Sequence, residues 1–217
     1  MKKLKETAIR IALLFVGLTI AHLGVSMFLL ANLGSDPFNV FIQGLFRTTQ
    51  KLTDLTFLTH GYTHMAISIL IIIVLLFVDK SYVKIGTILC MFCGGPIIDF
   101  FNWCLAPVIG PDSNLLIRLA FNAMGCIILA LGMTIVIKSD AGTGPNDLVG
   151  IVISDKMKKP FSIVRIIVDC MFIVLGFALG GSFGVGTLIC AFLVGPVAGY
   201  FMPHSQNFVN KVLNAVI

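Results

Sequence analysis

The chain has 217 residues and a formal net charge of +5, with 58% hydrophobic and 12% charged residues. Its mean hydropathy is +1.02. A water-soluble domain carries about 25% charged residues, so the composition excludes one. It also removes the nucleic-acid explanation of the basic balance: the expected partner is the lipid bilayer, and no nucleic acid.

A bilayer needs roughly 20 apolar residues per spanning helix. Six stretches qualify, at about 9–31, 62–78, 84–106, 115–137, 161–181 and 185–203. They occupy most of the chain, so the expected fold is an all-α polytopic membrane protein in one domain. The first stretch is longer than a signal-peptide core and lacks a small-residue cleavage site; it is read as a permanent helix. Lys2, Lys3, Lys5 and Arg10 place the N-terminus in the cytoplasm. Threading six spans then puts twelve of the fifteen Lys and Arg residues on that side, with Arg47, Lys51 and Arg118 outside. That asymmetry fits the positive-inside rule and predicts both termini in the cytoplasm.

The elements recur in order. A slide of 108 residues aligns Gly17 with Gly125, Gly24 with Gly132, Gly34 with Gly142 and Pro37 with Pro145. A slide of 100 aligns Gly86-Thr87 with Gly186-Thr187, Cys90 with Cys190, Phe92 with Phe192, Gly95-Pro96 with Gly195-Pro196 and Phe101 with Phe201. The eight extra residues of the first half fall between Arg47 and His60. The chain therefore divides into repeat 1 (1–107) and repeat 2 (108–217), each a long helix, a Gly/Pro break, a short helix and two further helices. The breaks are Gly34-Ser35-Asp36-Pro37 and Gly142-Thr143-Gly144-Pro145. Proline at a first helical position, behind a residue that can cap, starts a new helix.

The short helices are expected at 37–47 and 145–155. Eleven helical residues cover roughly 16 Å, about half a bilayer core. With the short helices not crossing, each repeat has three spans, and an odd number inverts the second copy. Inverted-topology repeats are a recurrent plan of secondary transporters. Two placements fit the short helices. They are re-entrant, with both N-termini near the midplane, or they lie flat at the interface as amphipathic connectors. Glycine-rich breaks favour the first.

These motifs resemble the YczE/YitT-type bacterial membrane proteins, closest to the YczE-like branch. Gly142-Thr143-Gly144-Pro145-Asn146-Asp147 fits the family's Gly-x-Gly-Pro-x-Asp pattern, and the resemblance covers nearly the whole chain. The first copy departs from it, with Asp36 where the family has glycine, Phe38 for tryptophan and Asn39 for aspartate. Membership implies the bacterial inner membrane.

Polar residues inside spans mark function, because lipid makes them costly. Asp169 lies about ten residues inside its helix, roughly 15 Å deep, with Arg165 one turn earlier on the same face. The pair is either a structural ion pair or a group that neutralises a cation or exchanges a proton. Asn122, near mid-depth, is expected to make an interhelical hydrogen bond. Asp99 lies deep in the third span, where its repeat mate is Gly199. Asp36, Asn39, Asn146 and Asp147 sit at first turns of the short helices. Capping explains Asp36 and Asn39; Asp147, one turn in, is the one expected to face a cavity. The candidate solute-binding set is thus Asp169, Arg165, Asn122, Asp147, Asn146, Asp99 and Asn39.

His60 and His64 share a face but have no carboxylate or cysteine near in sequence, and are read as interfacial polar residues. His22 is read as a packed residue. Cys90-x-x-Cys93 has no second pair to complete a site. No metal or cofactor is implied, and a homo-oligomer is left open. Without a P-loop, a zinc-protease helix or a nucleophile elbow, an enzyme is not expected. The leading expectation is a secondary transporter or permease for a small polar solute. The alternative is a non-transporting regulator or the membrane subunit of a multi-component importer.

Overall fold

The computed structural model describes residues 2–53, 58–109 and 113–216, leaving aside the side chains of Lys2 and Lys3. Eight helices follow in order: α1 (Lys2–Leu30), α2 (Pro37–Leu52), α3 (His60–Asp79), α4 (Ile85–Leu105), α5 (Leu115–Ser139), α6 (Pro145–Met157), α7 (Phe161–Ala178) and α8 (Val185–Val216). A 3-10 turn, Lys80–Tyr82, links α3 to α4. All but α2 and α6 belong to six stretches long and apolar enough to cross a membrane.

Three bounds differ from those expected. Helix α2 runs to Leu52, because nothing between Arg47 and Leu52 breaks it; residues 54–57 of the proposed insertion lie outside the described residues. Helix α6 ends at Met157, where Lys158 adopts a left-handed cap with φ of 53°. Helix α8 does not stop near residue 203 but continues to Val216 through Pro196 and Pro203.

The centre is the antiparallel pair α1 and α5. With no hydrophobic drive between helices in lipid, close packing holds them, and glycine permits it. A Cβ on Gly24 would stand 2.4 Å from Leu129 N, and one on Gly125 2.7 Å from Gly24 O. Gly17 and Gly132 face each other in the same way one crossing further along. Around this seam, Phe28, Cys126, Met133, Cys190 and Val194 form a core between α1, α5 and α8. Leu14, Leu18, Cys90 and Val136 form a second, towards α4.

Both breaks leave the seam in one conformation. Gly34 and Gly142 have φ of 134° and 131°, values that L side chains avoid. The residue before each accepts a main-chain bond from the other half: Gly186 N–H donates to Leu33 O and Gly86 N–H to Ala141 O, both at 2.9 Å. Leu33 and Ala141 are 108 apart, Gly86 and Gly186 are 100 apart. Each break is therefore docked on the helix start that the other break's partner matches.

Candidate functional site

Helix α7 packs against α2 through Phe38, Ile42, Val164, Val168 and Phe172. The same register turns Arg165 and Asp169, one turn apart, inward to burial of 8% and 1% exposure. Arg165 Nε donates to Asp169 Oδ2 at 2.9 Å. Its Nη1 donates to Asp147 Oδ1 at 2.6 Å and lies 3.9 Å from Met133 Sδ. Asn146 Nδ2 donates to the same Asp147 oxygen at 3.2 Å. Four of the expected residues thus form one cluster, joining the first turn of α6 to the middle of α7.

The charges do not balance. One guanidinium serves two carboxylates, and Asp147 Oδ2 takes no hydrogen bond among the described residues. An isolated buried charge is expensive unless paired, so the cluster suits a proton or a cationic donor at the open oxygen.

The other expected residues go elsewhere. Asn39 donates from Nδ2 to Asp36 Oδ2 and through its main chain to Asp36 Oδ1 at 3.1 Å. Its Oδ1 lies 3.3 Å from His60 Nε2, so His60 is tied to the start of α2. His64 stacks edge-on against Phe38, with centroids 5.3 Å apart. His22 Nδ1 donates to Leu18 O at 2.7 Å, and the ring lies against Gly94. Asp99 is not brought to the cluster: it is exposed on α4, whose outward face has no helix beside it.

Asn122 departs most from expectation. It is fully buried, yet neither Oδ1 nor Nδ2 has a hydrogen-bond partner, so the interhelical bond expected of it is absent. Its amide is pressed against Gly186, where a Cβ would come within 2.7 Å of Nδ2. The aligned position in the first half is Leu14, which meets Gly86 in the same way.

Beside the cluster a cavity of about 630 Å³ opens between the 3-10 turn, the end of α5, α6 and the start of α7. Lys84, Lys138, Asp140, Thr143, Asp155 and Phe161 are on its wall. Thr143 is 4% exposed and its Oγ1 is unpartnered. Thr143 was not among the expected site residues. Nor were Arg10 and Arg118, although the slide of 108 aligns them. Among the described residues, no group of three His, Cys, Asp or Glu side chains is placed to hold a metal.

The profile of a family of unknown function (DUF6198) matches residues 8–203, and the chain belongs to that family. It is similar to the uncharacterized membrane protein YczE of Bacillus subtilis (strain 168), with 27% identity over 207 residues, 95% of this chain and 91% of that protein. It is equally similar to the uncharacterized protein YyaS of the same organism, at 27% over 90% of this chain and 94% of the relative. An uncharacterized protein of Haemophilus influenzae is 27% identical over 88% of this chain and 83% of its own length. No solved structure matches. With bacterial relatives and six candidate spans, the chain is a multi-pass membrane protein.

Proposed function

We propose that this member of the family is a secondary transporter or permease for a small polar solute. It is built from two inverted copies of a three-span unit, with its lysine-rich end in the cytoplasm of the bacterial inner membrane. The short helices are re-entrant, and the solute binds between the copies beside Asp147, Arg165 and Asp169.

The observation that carries this reading is a contrast between the two ends. At the Arg47 end, α2 is sealed against α7 and the turn after it. Gly44 and Gly176 touch so closely that a Cβ on Gly44 would stand 2.2 Å from Gly176 O. Arg47 Nη1 donates to Gly180 O at 2.8 Å, Thr48 Oγ1 to Leu179 O at 2.7 Å, and Ser182 N–H to Gln43 Oε1 at 2.8 Å. At the opposite end the matching contact of α6 with α3 is made by side chains, Leu75 with Leu148 and Val152. Beyond it lies the cavity. The wall of that cavity reaches Thr143 and Leu148 but not the cluster itself; a seal on one side and a cavity on the other is the asymmetry that alternating access uses.

Further support comes from the α1 and α5 seam, whose paired glycines and paired breaks match at one offset, and from Asp36 and Asp147. Asp36 is the N-cap of α2 and Asp147 lies in the first turn of α6, so each short helix carries a carboxylate at its start.

The test is a reversible lock. In a background freed of the six native cysteines, Gln43→Cys with Ser182→Cys is crosslinked in proteoliposomes and uptake of candidate solutes is followed. Crosslinking should stop uptake and reduction should restore it. Uptake that ignores the crosslink would remove the proposal, as would Asp169→Asn leaving both solute uptake and proton flux unchanged.

A second reading, the membrane subunit of a multi-component importer, draws on α3 and α4. They bury 17% and 11% of their spanning windows, against 39% for α7 and α8, and Asp99 is exposed on α4. Such a subunit would copurify with an ATPase and fail to work alone in liposomes.

A further inference from the structure

Helix α3 lacks one contact that its repeat mate makes. Helix α7, the mate, meets α2, α6 and α8. Its start lies on α8 at two glycines: a Cβ on Gly195 would stand 2.6 Å from Ser162 O, and one on Gly199 3.1 Å from Ser162 Cβ. Ile166, one turn later, comes within 3.1 Å of the same Gly195 position. The slide of 100 aligns Ser162 with Tyr62, Ile166 with Ala66, Gly195 with Gly95 and Gly199 with Asp99. Helix α3 does touch the short helices, through Ile67 and Ile71 towards α2 and Leu75 towards α6. Against α4 it leaves a gap. Nothing lies within 4 Å of a Cβ on Gly95, Tyr62 is 59% exposed, and Asp99 is exposed.

A carboxylate about 9 Å inside a span and turned to lipid is costly to keep. Neither Asp99 nor the Tyr62 hydroxyl has a partner among the described residues. The gap also goes with the state of its end of the molecule. At the lysine-rich end α7 lies on α8 and the cavity is open, with Phe161 of α7 and Met202 of α8 on its wall. At the Arg47 end α3 stands off α4, and α2 is sealed on α7. One helix pair is together where its end is open; the other is apart where its end is closed.

We propose that α3 is a gate, with Tyr62 and Asp99 as its latch. When the Arg47 end opens, the start of α3 swings onto α4, as α7 already lies on α8. The Tyr62 hydroxyl then donates to the Asp99 carboxylate. Tyrosine and aspartate need a wider spacing than Ser162 and Gly199, and the hydrogen bond spans it. Gly95 leaves room for the approach, as Gly195 does for Ser162. The start of α3 is held to α2 by a long hydrogen bond, His60 Nε2 to Asn39 Oδ1 at 3.3 Å, and by His64 on Phe38, contacts that a swing can exchange. Asp99, which lies apart from the polar cluster, gains a role in this way, provided that the halves are inverted copies as proposed for the function.

The experiment uses the full chain, freed of native cysteines, in lipid nanodiscs with both faces accessible. Ala66→Cys with Gly95→Cys should crosslink within one chain, read by peptide mapping of the monomer band. An added Gln43→Cys, at the mate of the cavity residue Ile151, reports the seal; its labelling by a polar maleimide should rise severalfold once the crosslink is made. Loss of one charge-assisted hydrogen bond corresponds to about a tenfold change in population. Tyr62→Phe and Asp99→Leu should each slow crosslinking by that factor, and Tyr62→Phe should leave the unfolding temperature unchanged. No crosslink, labelling that ignores the crosslink, or a rate indifferent to both substitutions overturns the proposal. So does a crosslink between chains, which would put a second copy in the gap. A chain that crosslinks and opens in this way yet moves no solute would keep the gate and lose the transport reading. Uptake stopped by the Gln43–Ser182 lock, without any Ala66–Gly95 crosslink, would do the reverse.

Discussion

Arg10 and Arg118, 108 positions apart, each close the last turn of the other half's first helix. Arg10 Nη1 donates to Ser139 O at 3.0 Å, and Arg118 Nε to Ala31 O at 2.8 Å. Because α1 and α5 run antiparallel, an arginine near the start of one lies beside the end of the other. There it satisfies free carbonyls and meets the negative end of the helix dipole. Arg118→Gln and Arg10→Gln should each lower stability by about 1–2 kcal/mol. Denaturant unfolding in detergent checks this, and unchanged midpoints for both would mean that the contacts contribute nothing.

Among the described residues, Arg165 is the single cation paired with Asp147 and Asp169. Removing one partner of a buried pair costs about 3–5 kcal/mol, because the charge left behind is uncompensated. Arg165→Met should therefore be severe. Adding Asp147→Asn and Asp169→Asn to it should recover much of the loss, since no carboxylate then stands unpaired. A triple variant as unstable as Arg165→Met would show that the guanidinium matters for packing rather than charge.

Asn122 keeps an unpaired amide where the other half has leucine. Replacing it with the shape-matched Leu removes the desolvation penalty of an unsatisfied group, about 1–3 kcal/mol. Asn122→Leu should raise the unfolding temperature. If solute uptake falls in the same variant, the amide is retained for function at the expense of stability; if the temperature falls, the amide has a partner after all.

The seam of α1 and α5 is built without room for a methyl group. Gly24→Ala would place carbon 2.4 Å from Leu129 N, and overpacking of this kind costs about 1–3 kcal/mol. Gly95→Ala is the control, with nothing within 4 Å of the added carbon, and should unfold as the parent does. Equal effects of the two substitutions would argue that the helices part easily.

Spans and breaks were legible because lipid imposes length and composition, and because glycine and proline act locally. The Arg165–Asp169 pair was legible too, being one helical turn apart. Asp147 as the second partner of Arg165 was not, since no local rule brings residues 147 and 165 together. Asn122 misled because a buried amide is normally bonded; its orphaned state depends on Gly186, far away in sequence. The mirrored arginines lay in plain view at the slide of 108. The charge of Arg10 also satisfies the positive-inside pattern, which hides its role as a helix cap. Helix α8 overran its expected end because prolines in a membrane helix are tolerated where neighbours satisfy the freed groups.

The glycine seam also dictates an order of events during synthesis. Helix α1 leaves the ribosome first, but its mate α5 is complete only after residue 139. Until then Gly17 and Gly24 face lipid with nothing to close on. A nascent chain halted after α4 would carry that open stripe, and the surface best shaped to cover it, short of α5 itself, is the equivalent stripe on another nascent chain inserted the other way up.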